Sequence, residues 1–335
     1  MKNKKILIFG ATGQIGKELS LELNTNNYLD LMSHSRTKVG ASFFKHNKIN
    51  SLIGNLPEEN ITKEISKADL IIDLAAPYDG TLQENKNFYK ERIDIFFNNM
   101  KKNTKFIFAS SMNAFGIDSK RNVLKNYLIS SSIYASNKRY AEKYIKKLGV
   151  QNNRETFVIR LSEVHGNYQR ASEKIKKLIS HRYVFEIPDS PAWITFITLF
   201  KEVIINILEG KEKPGEYTLV CDDIYWSDLL NYLGRDINMS PKYEIIKKNK
   251  DNFTNRIKKI TQNYLISKKD LIRGNLNVNK DLEDLMKLDF RIQKAKEEFR
   301  LIDKAKIYSE YNRYSGTLPG KRFESLKYDK KLLLK

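Results

Sequence analysis

Only one cysteine, Cys221, occurs in 335 residues, so no intramolecular disulfide can form and a reducing compartment is expected. Long apolar runs are missing as well. The most apolar stretch, Trp193 to Leu208, is interrupted by Lys201 and Glu202 and is too short for a bilayer, so no membrane span is expected. The opening MKNKKILIFGATG has a short apolar run before its glycines, which is not the pattern of a cleavable signal. A soluble, cytoplasmic protein is the resulting expectation, with no metal site.

What the chain has in excess is positive charge. The formal net charge is +20, and 45 Lys stand beside 31 Asn. That pairing indicates codon bias, with most of the lysines simply facing water. No recognised nucleic-acid motif accompanies the charge, so nucleic acid is not expected as a partner. The charge is uneven, however: residues 241–335 hold 25 Lys+Arg against 13 Asp+Glu. Hydrophobic content of 41% with 11% aromatics gives a globular chain with ample core.

The first half alternates short apolar runs with helix-like segments. Lys5–Phe9, Tyr28–Ser33, Asp69–Leu74, Lys105–Ala109 and Thr156–Leu161 read as strands; Gln14–Asn24, Phe88–Lys101 and a segment from about Ser132 read as helices. Such alternation predicts right-handed β-α-β units around a mostly parallel sheet covered on both faces. The expected class is α/β, a Rossmann-type doubly wound sheet with a smaller C-terminal domain.

After the first strand comes Gly10-Ala-Thr12-Gly13-Gln14-Ile15-Gly16, opening a helix. Glycines there allow a sharp turn, close approach of backbone to a pyrophosphate, and tight helix–strand packing, while the helix N-terminus offers free N–H groups. Position and context predict dinucleotide binding. A ribose reader at the end of the second strand would be acidic; the chain has Ser33-His34-Ser35-Arg36, and Asp30 falls three residues early. Arg36 can pair with a 2′-phosphate, so NADP is expected ahead of NAD.

The stretch SSSIYASNKRYAEKYIKK places Tyr134 and Lys138 on one helix face. In a chain so rich in lysine the spacing alone means little, because Tyr243/Lys247 and Tyr264/Lys268 share it. Company separates them. Asp73-Leu-Ala75-Ala76 follows one strand, Ser110-Ser111-Met-Asn-Ala-Phe115-Gly116 the next, and Arg160-Leu-Ser-Glu163-Val-His165-Gly166 the last. With the glycine spacing, these stretches resemble the extended short-chain dehydrogenase/reductase family, the NAD-dependent epimerase/dehydratase group, over about residues 4–234.

That resemblance implies roles. Ser111, Tyr134 and Lys138 are the implied catalytic residues. Gly10, Thr12, Gly13, Gln14, Ile15, Gly16, Arg36, Ala75, Ala76, Tyr134 and Lys138 are the implied cofactor contacts. The substrate implied is a small molecule, a sugar nucleotide or similar hydroxyl/carbonyl compound. Glu163 stands where the family keeps an Asn that holds the nucleotide sugar, and His165 where it keeps a tyrosine. Met112 and Asn113 stand where dehydrating relatives carry two acids, and neither moves a proton at neutral pH. Reversible hydride transfer at one carbon remains: epimerisation, the preferred reading, or reduction of a keto-sugar, with a non-catalytic dinucleotide-binding protein as the other alternative.

The expected division is a dinucleotide-binding domain over residues 1–166, a substrate-binding and helical region over 167–310, with 278–310 rich in helix, and a basic tail over 311–335. The basic region after residue 240 leaves open a partner or oligomer surface, such as a homodimer.

Overall fold

The computed structural model describes residues 3–77, 80–115, 133–246, 304–306 and 320–326. Seven parallel strands form the main sheet: β1 (Lys4–Phe9), β2 (Leu29–Ser35), β3 (Asn50–Ile53), β4 (Leu70–Asp73), β5 (Lys105–Ser111), β6 (Thr156–Leu161) and β10 (Gly215–Leu219). Their spatial order is β3-β2-β1-β4-β5-β6-β10. The chain leaves β1 toward β2 and β3, then crosses back to β4 on the other side of β1. The strand order therefore reverses between β1 and β4, and a crevice opens at their carboxyl ends.

Alternation along the strands decides which helix covers which face. From β1, Ile6 and Ile8 join Ile72, Ile107, Phe157 and Ile159 beneath α1 (Gln14–Asn24) and α7 (Ile197–Leu208). Leu7 and Phe9 join Ile71, Phe106, Phe108 and Val158 on the opposite face, beneath α3 (Glu59–Ile65), α4 (Leu82–Asn99) and α5 (Ile133–Gln151). Each buried Phe or Ile contributes about 1.5–3 kcal/mol. The apolar run at Trp193–Leu208 is explained here: most of α7 lies in the core. No helix among the described residues is long and apolar enough to cross a membrane.

Several expected boundaries shift. Helix α2 (Lys38–His46) and β3 lack a strong sequence pattern and were not foreseen. Helix α4 begins six residues before Phe88, because Thr81 and Glu84 form a reciprocal cap. Strand β2 runs to Ser35 rather than Ser33, which puts Arg36 directly at its end.

The seventh strand comes from beyond residue 166, where the sequence reading ended the dinucleotide-binding domain. β10 pairs with β6 in register from Gly215↔Phe157 to Leu219↔Leu161, so residues assigned to the substrate region complete the main sheet.

The remaining elements are β7 (Glu163–His165), α6 (Arg170–Ser180), β8 (Val184–Pro188), β9 (Ile194–Phe196), α8 (Trp226–Asp236), β11 (Lys242–Ile246) and β12 (Lys304–Lys306). β7 pairs with β9, and β8 is flanked by β11 and β12. β12 lies inside the stretch read as helical; the rest of 278–310 lies outside the described residues.

Part of the basic tail packs on the sheet. Residues 320–326 run beside β10, where Thr218 N donates to Lys321 O at 2.9 Å and the Phe323 ring stacks on Tyr217 at 4.1 Å. The segment covers a strand edge that would otherwise be open.

Candidate functional site

The glycine turn sits at the β1/β4 crevice. Gly10 has φ +74°, and a Cβ on it would come within 2.6 Å of Ala75 N, so the turn is pressed against the segment after β4. A Cβ on Gly16 would meet Ala11 Cα and Gly10 O at 2.5 Å, which lets α1 start tight against the strand. Gly13 caps α1 without any side-chain hydrogen bond. Thr12, Gly13 and Gln14 are exposed and Ile15 is half-buried. The first-turn N–H groups therefore face the crevice side uncapped, with a partial positive charge suited to a phosphate. The turn fits a dinucleotide: side chains at Gly10 or Gly16 would push apart the backbone segments that hold it in this shape.

At the end of β2, Arg36 is exposed. Asp30 lies one strand length away and faces Lys5 at 3.8 Å, so it cannot serve as the ribose reader. His34 is buried and bonded to Gly54 O at 2.9 Å. Burial lowers its pKa, which favours the neutral ring, so the charge at the end of this strand is that of Arg36. Across the crevice, Ala75 is half-buried and Ala76 exposed. The Ala75 N–H is held by Asp73 Oδ1 at 3.2 Å, and Arg92 donates to the same oxygen at 2.7 Å.

Ser111, Tyr134 and Lys138 come together at the carboxyl end of β5. Ser111, 8% exposed, is hydrogen-bonded to the Tyr134 phenol. Lys138 is 3% exposed, donates to Ala109 O at 2.7 Å, and has its ammonium 5.9 Å from the centre of the Tyr134 ring. Tyr134 as a whole is 43% exposed. Burial raises the phenol's pKa, and the bond with Ser111 opposes that. Burial pushes the Lys138 ammonium down to about 8, with Asp73 and then Glu142 working against it. Of the other two spaced pairs, Tyr243 lies on β11 away from these strand ends; Lys247, Tyr264 and Lys268 lie outside the described residues.

Sequence reading missed the charges beneath this group. Glu142, one turn after Lys138, accepts from Arg160 Nε at 2.9 Å and Nη2 at 2.8 Å, and also from Ser110. The i+4 spacing from Lys138 was the available signal. His165 is fully buried, joined to Ser172 at 3.1 Å, and pushed down to about 3 by burial. It is a neutral core residue, while Glu163 stays partly exposed. Met112 is fully buried and Asn113 half-buried, and neither side chain is an acid. Among the described residues no cluster of three His, Cys, Asp or Glu side chains is placed to hold a metal.

A sequence profile of the NAD dependent epimerase/dehydratase family matches residues 6–184, more than half of the chain. The chain belongs to this family. As a family member it uses a nicotinamide dinucleotide. No curated protein matches it in sequence. Among solved structures it is similar to UDP-N-acetylglucosamine 4-epimerase from Bacillus cereus, at 13% identity and TM-score 0.57, covering 75% of this chain and 88% of that one. It is also similar to UDP-glucuronic acid 4-epimerase from Bacillus cereus in complex with UDP-glucuronic acid and NAD, at 17% identity and TM-score 0.52, covering 73% and 86%. A third is dTDP-glucose 4,6-dehydratase from Bacillus anthracis in complex with NAD, at 13% identity and TM-score 0.53, covering 78% and 90%. At these identities the likeness establishes the fold, and this epimerase/dehydratase-family chain must be read for activity from its own residues.

Proposed function

We propose that this protein is an NAD(P)-dependent epimerase acting by reversible hydride transfer on a sugar nucleotide. The observation that carries the reading is the convergence of the Ser111 hydroxyl, the Tyr134 phenol and the Lys138 ammonium at the carboxyl end of β5, two strands from β1, which leads into the glycine turn. Two similar structures are named as 4-epimerases of UDP-sugars, which supports the substrate class.

Tyr134 is the acid and base. As a free phenol, with a pKa of about 10, it is a weak base near neutrality. Burial raises the phenol's pKa, and the hydrogen bond with Ser111 works against that. A Lys138 ammonium 5.9 Å from the ring acts in the same sense as Ser111, because a positive charge favours the phenolate. The substrate hydroxyl gives its proton to the Tyr134 oxygen as the carbon beneath loses hydride, and the carbonyl formed accepts the Ser111 hydrogen bond. Taking up that hydride and returning it is the chemistry a bound nicotinamide supplies. Tyr134 then returns the proton to oxygen when hydride is added from the other face, so atoms and electrons balance with no net cofactor used.

The glycine turn and the N-terminus of α1 would hold the pyrophosphate, and Lys138 the nicotinamide ribose. Arg36 supports an NADP(H) preference through a pairing with the 2′-phosphate; the NAD in the similar structures supports NAD(H). Incubation with a panel of UDP- and dTDP-sugars, followed by product NMR and nicotinamide absorbance, tests the function. An epimeric sugar with unchanged absorbance is expected. Stoichiometric loss of reduced cofactor would make the protein a reductase instead, and a 4-keto-6-deoxy product a dehydratase.

A further inference from the structure

Glu18 lies on α1 within its second turn and is 4% exposed. Its carboxylate accepts hydrogen bonds from Asn167 N at 2.6 Å, Tyr168 N at 3.1 Å and Gln169 Nε2 at 2.6 Å. The Gln169 amide also reaches the Gln14 carbonyl, in the first turn of the same helix, at 3.2 Å. Gly166 lets the segment approach: a Cβ there would come within 2.3 Å of Glu18 Oε1. Burying a carboxylate is costly unless donors surround it, and these donors all come from the short segment that follows β7.

We propose that Glu18 is a positioning residue that couples the dinucleotide cradle to residues 166–169, so that filling the cradle orders the segment. The proposal rests on the dinucleotide reading above. Helix α1 opens at Gly13 without a side-chain cap, so its first-turn N–H groups await an acceptor. A phosphate there fixes the turn that carries the Gln14 carbonyl and, one turn further on, the Glu18 carboxylate. Both acceptors of Gln169 are then held in place, and with them the acceptor of the Asn167 and Tyr168 amides. Ordering entropy lost with the first ligand need not be lost again with the second. The segment also carries Tyr168, 61% exposed.

Hydrogen exchange read by mass spectrometry on the full chain tests this with NAD⁺ or NADP⁺ as the only ligand. Saturating dinucleotide should slow exchange of the peptide bearing the Asn167 and Tyr168 amides by about tenfold in the wild type. In Glu18→Gln one acceptor oxygen faces three donors, so the same peptide should exchange faster and no longer respond to dinucleotide. Gln169→Ala, which leaves the carboxylate its two backbone donors, should fold and show a reduced response. Calorimetry on each variant separates lost coupling from a lost cradle: dinucleotide affinity should fall no more than about threefold. A wild-type segment indifferent to bound dinucleotide would overturn the proposal, as would Glu18→Gln or Gln169→Ala responding like the wild type. Absence of any dinucleotide binding to the wild type would refute the cofactor reading itself and the coupling with it.

Discussion

Arg160 grips Glu142 with two hydrogen bonds, 2.9 and 2.8 Å long, one helical turn beyond Lys138. The pair joins β6 to α5 inside the protein, where side-chain exposure is 10% and 7%. Arg160 also reaches Glu216 on β10 at 3.1 Å, so it links the last two strands of the sheet to the helix carrying Tyr134 and Lys138.

Removing one partner leaves the other charge buried and unpaired. Arg160→Leu is expected to lower stability by about 3–5 kcal/mol, measured as a shift in urea midpoint at constant slope. A loss below about 1 kcal/mol would mean that solvent reaches the pair.

Tyr134→Phe removes the proton carrier and keeps the ring. Turnover is expected to fall by about 10²–10⁴ while dinucleotide affinity stays within about twofold. Single-turnover kinetics beside calorimetry reads both, and full activity in the variant would remove Tyr134 from the mechanism.

Lys138 gives a pH signature. Its folded-state pKa is lowered to about 8 from 10.5, chiefly by burial. Below pH 8 the ammonium is charged in both folded and unfolded chains; between 8 and 10.5 the unfolded chain binds more protons. This group therefore makes stability rise with pH across that window. Lys138→Met should be flat where the wild type rises. For the free enzyme, kcat/KM should fall as pH rises through about 8, because the phenolate loses its neighbouring charge.

The fold was legible because its signals are local, and so were the residues proposed for the candidate site. A glycine turn between strand and helix, an apolar run of strand length, and a Tyr–Lys pair on one helix face each span only a few residues. What the sequence concealed are partnerships between distant residues. Glu18 and residues 167–169 are some 150 positions apart, and Arg160 meets Glu216 only because β10 returns to the sheet. No periodicity announces such pairs. The strand β12 was hidden for a related reason: three residues paired to β8 leave no pattern against a lysine-rich, helix-like background. His165 was read as a departure at the substrate site, and its complete burial makes it a packing residue instead.

Arg36 gives a test of cofactor choice. It is exposed at the strand end, so its only large effect should be on a 2′-phosphate. Arg36→Ala should weaken NADP(H) by about tenfold or more, near 1.4 kcal/mol, and leave NAD(H) within about twofold. Equal losses for both would assign Arg36 to the pyrophosphate or to nothing specific.

Phe323 tests whether the tail belongs to the fold. Its ring is 2% exposed and lies nearly parallel to Tyr217, at 4.1 Å and 11°. Around it, Arg322 holds Asp222 at 3.0 and 3.1 Å, and Ser325 N donates to Glu212 at 3.0 Å. Because that site is far along the sheet from the β1/β4 crevice, the tail's contribution should be to stability and not to cofactor binding. Phe323→Ala is expected to cost about 3 kcal/mol, the usual penalty for emptying a buried aromatic position. It should also leave the β10 edge open to pairing between molecules, seen as aggregation that rises with protein concentration. Dinucleotide affinity of the folded fraction should be unchanged. If Phe323→Ala melts like the wild type, residues 320–326 only rest on the sheet; if it loses dinucleotide binding while still folded, β10 and its cover reach the cofactor site after all.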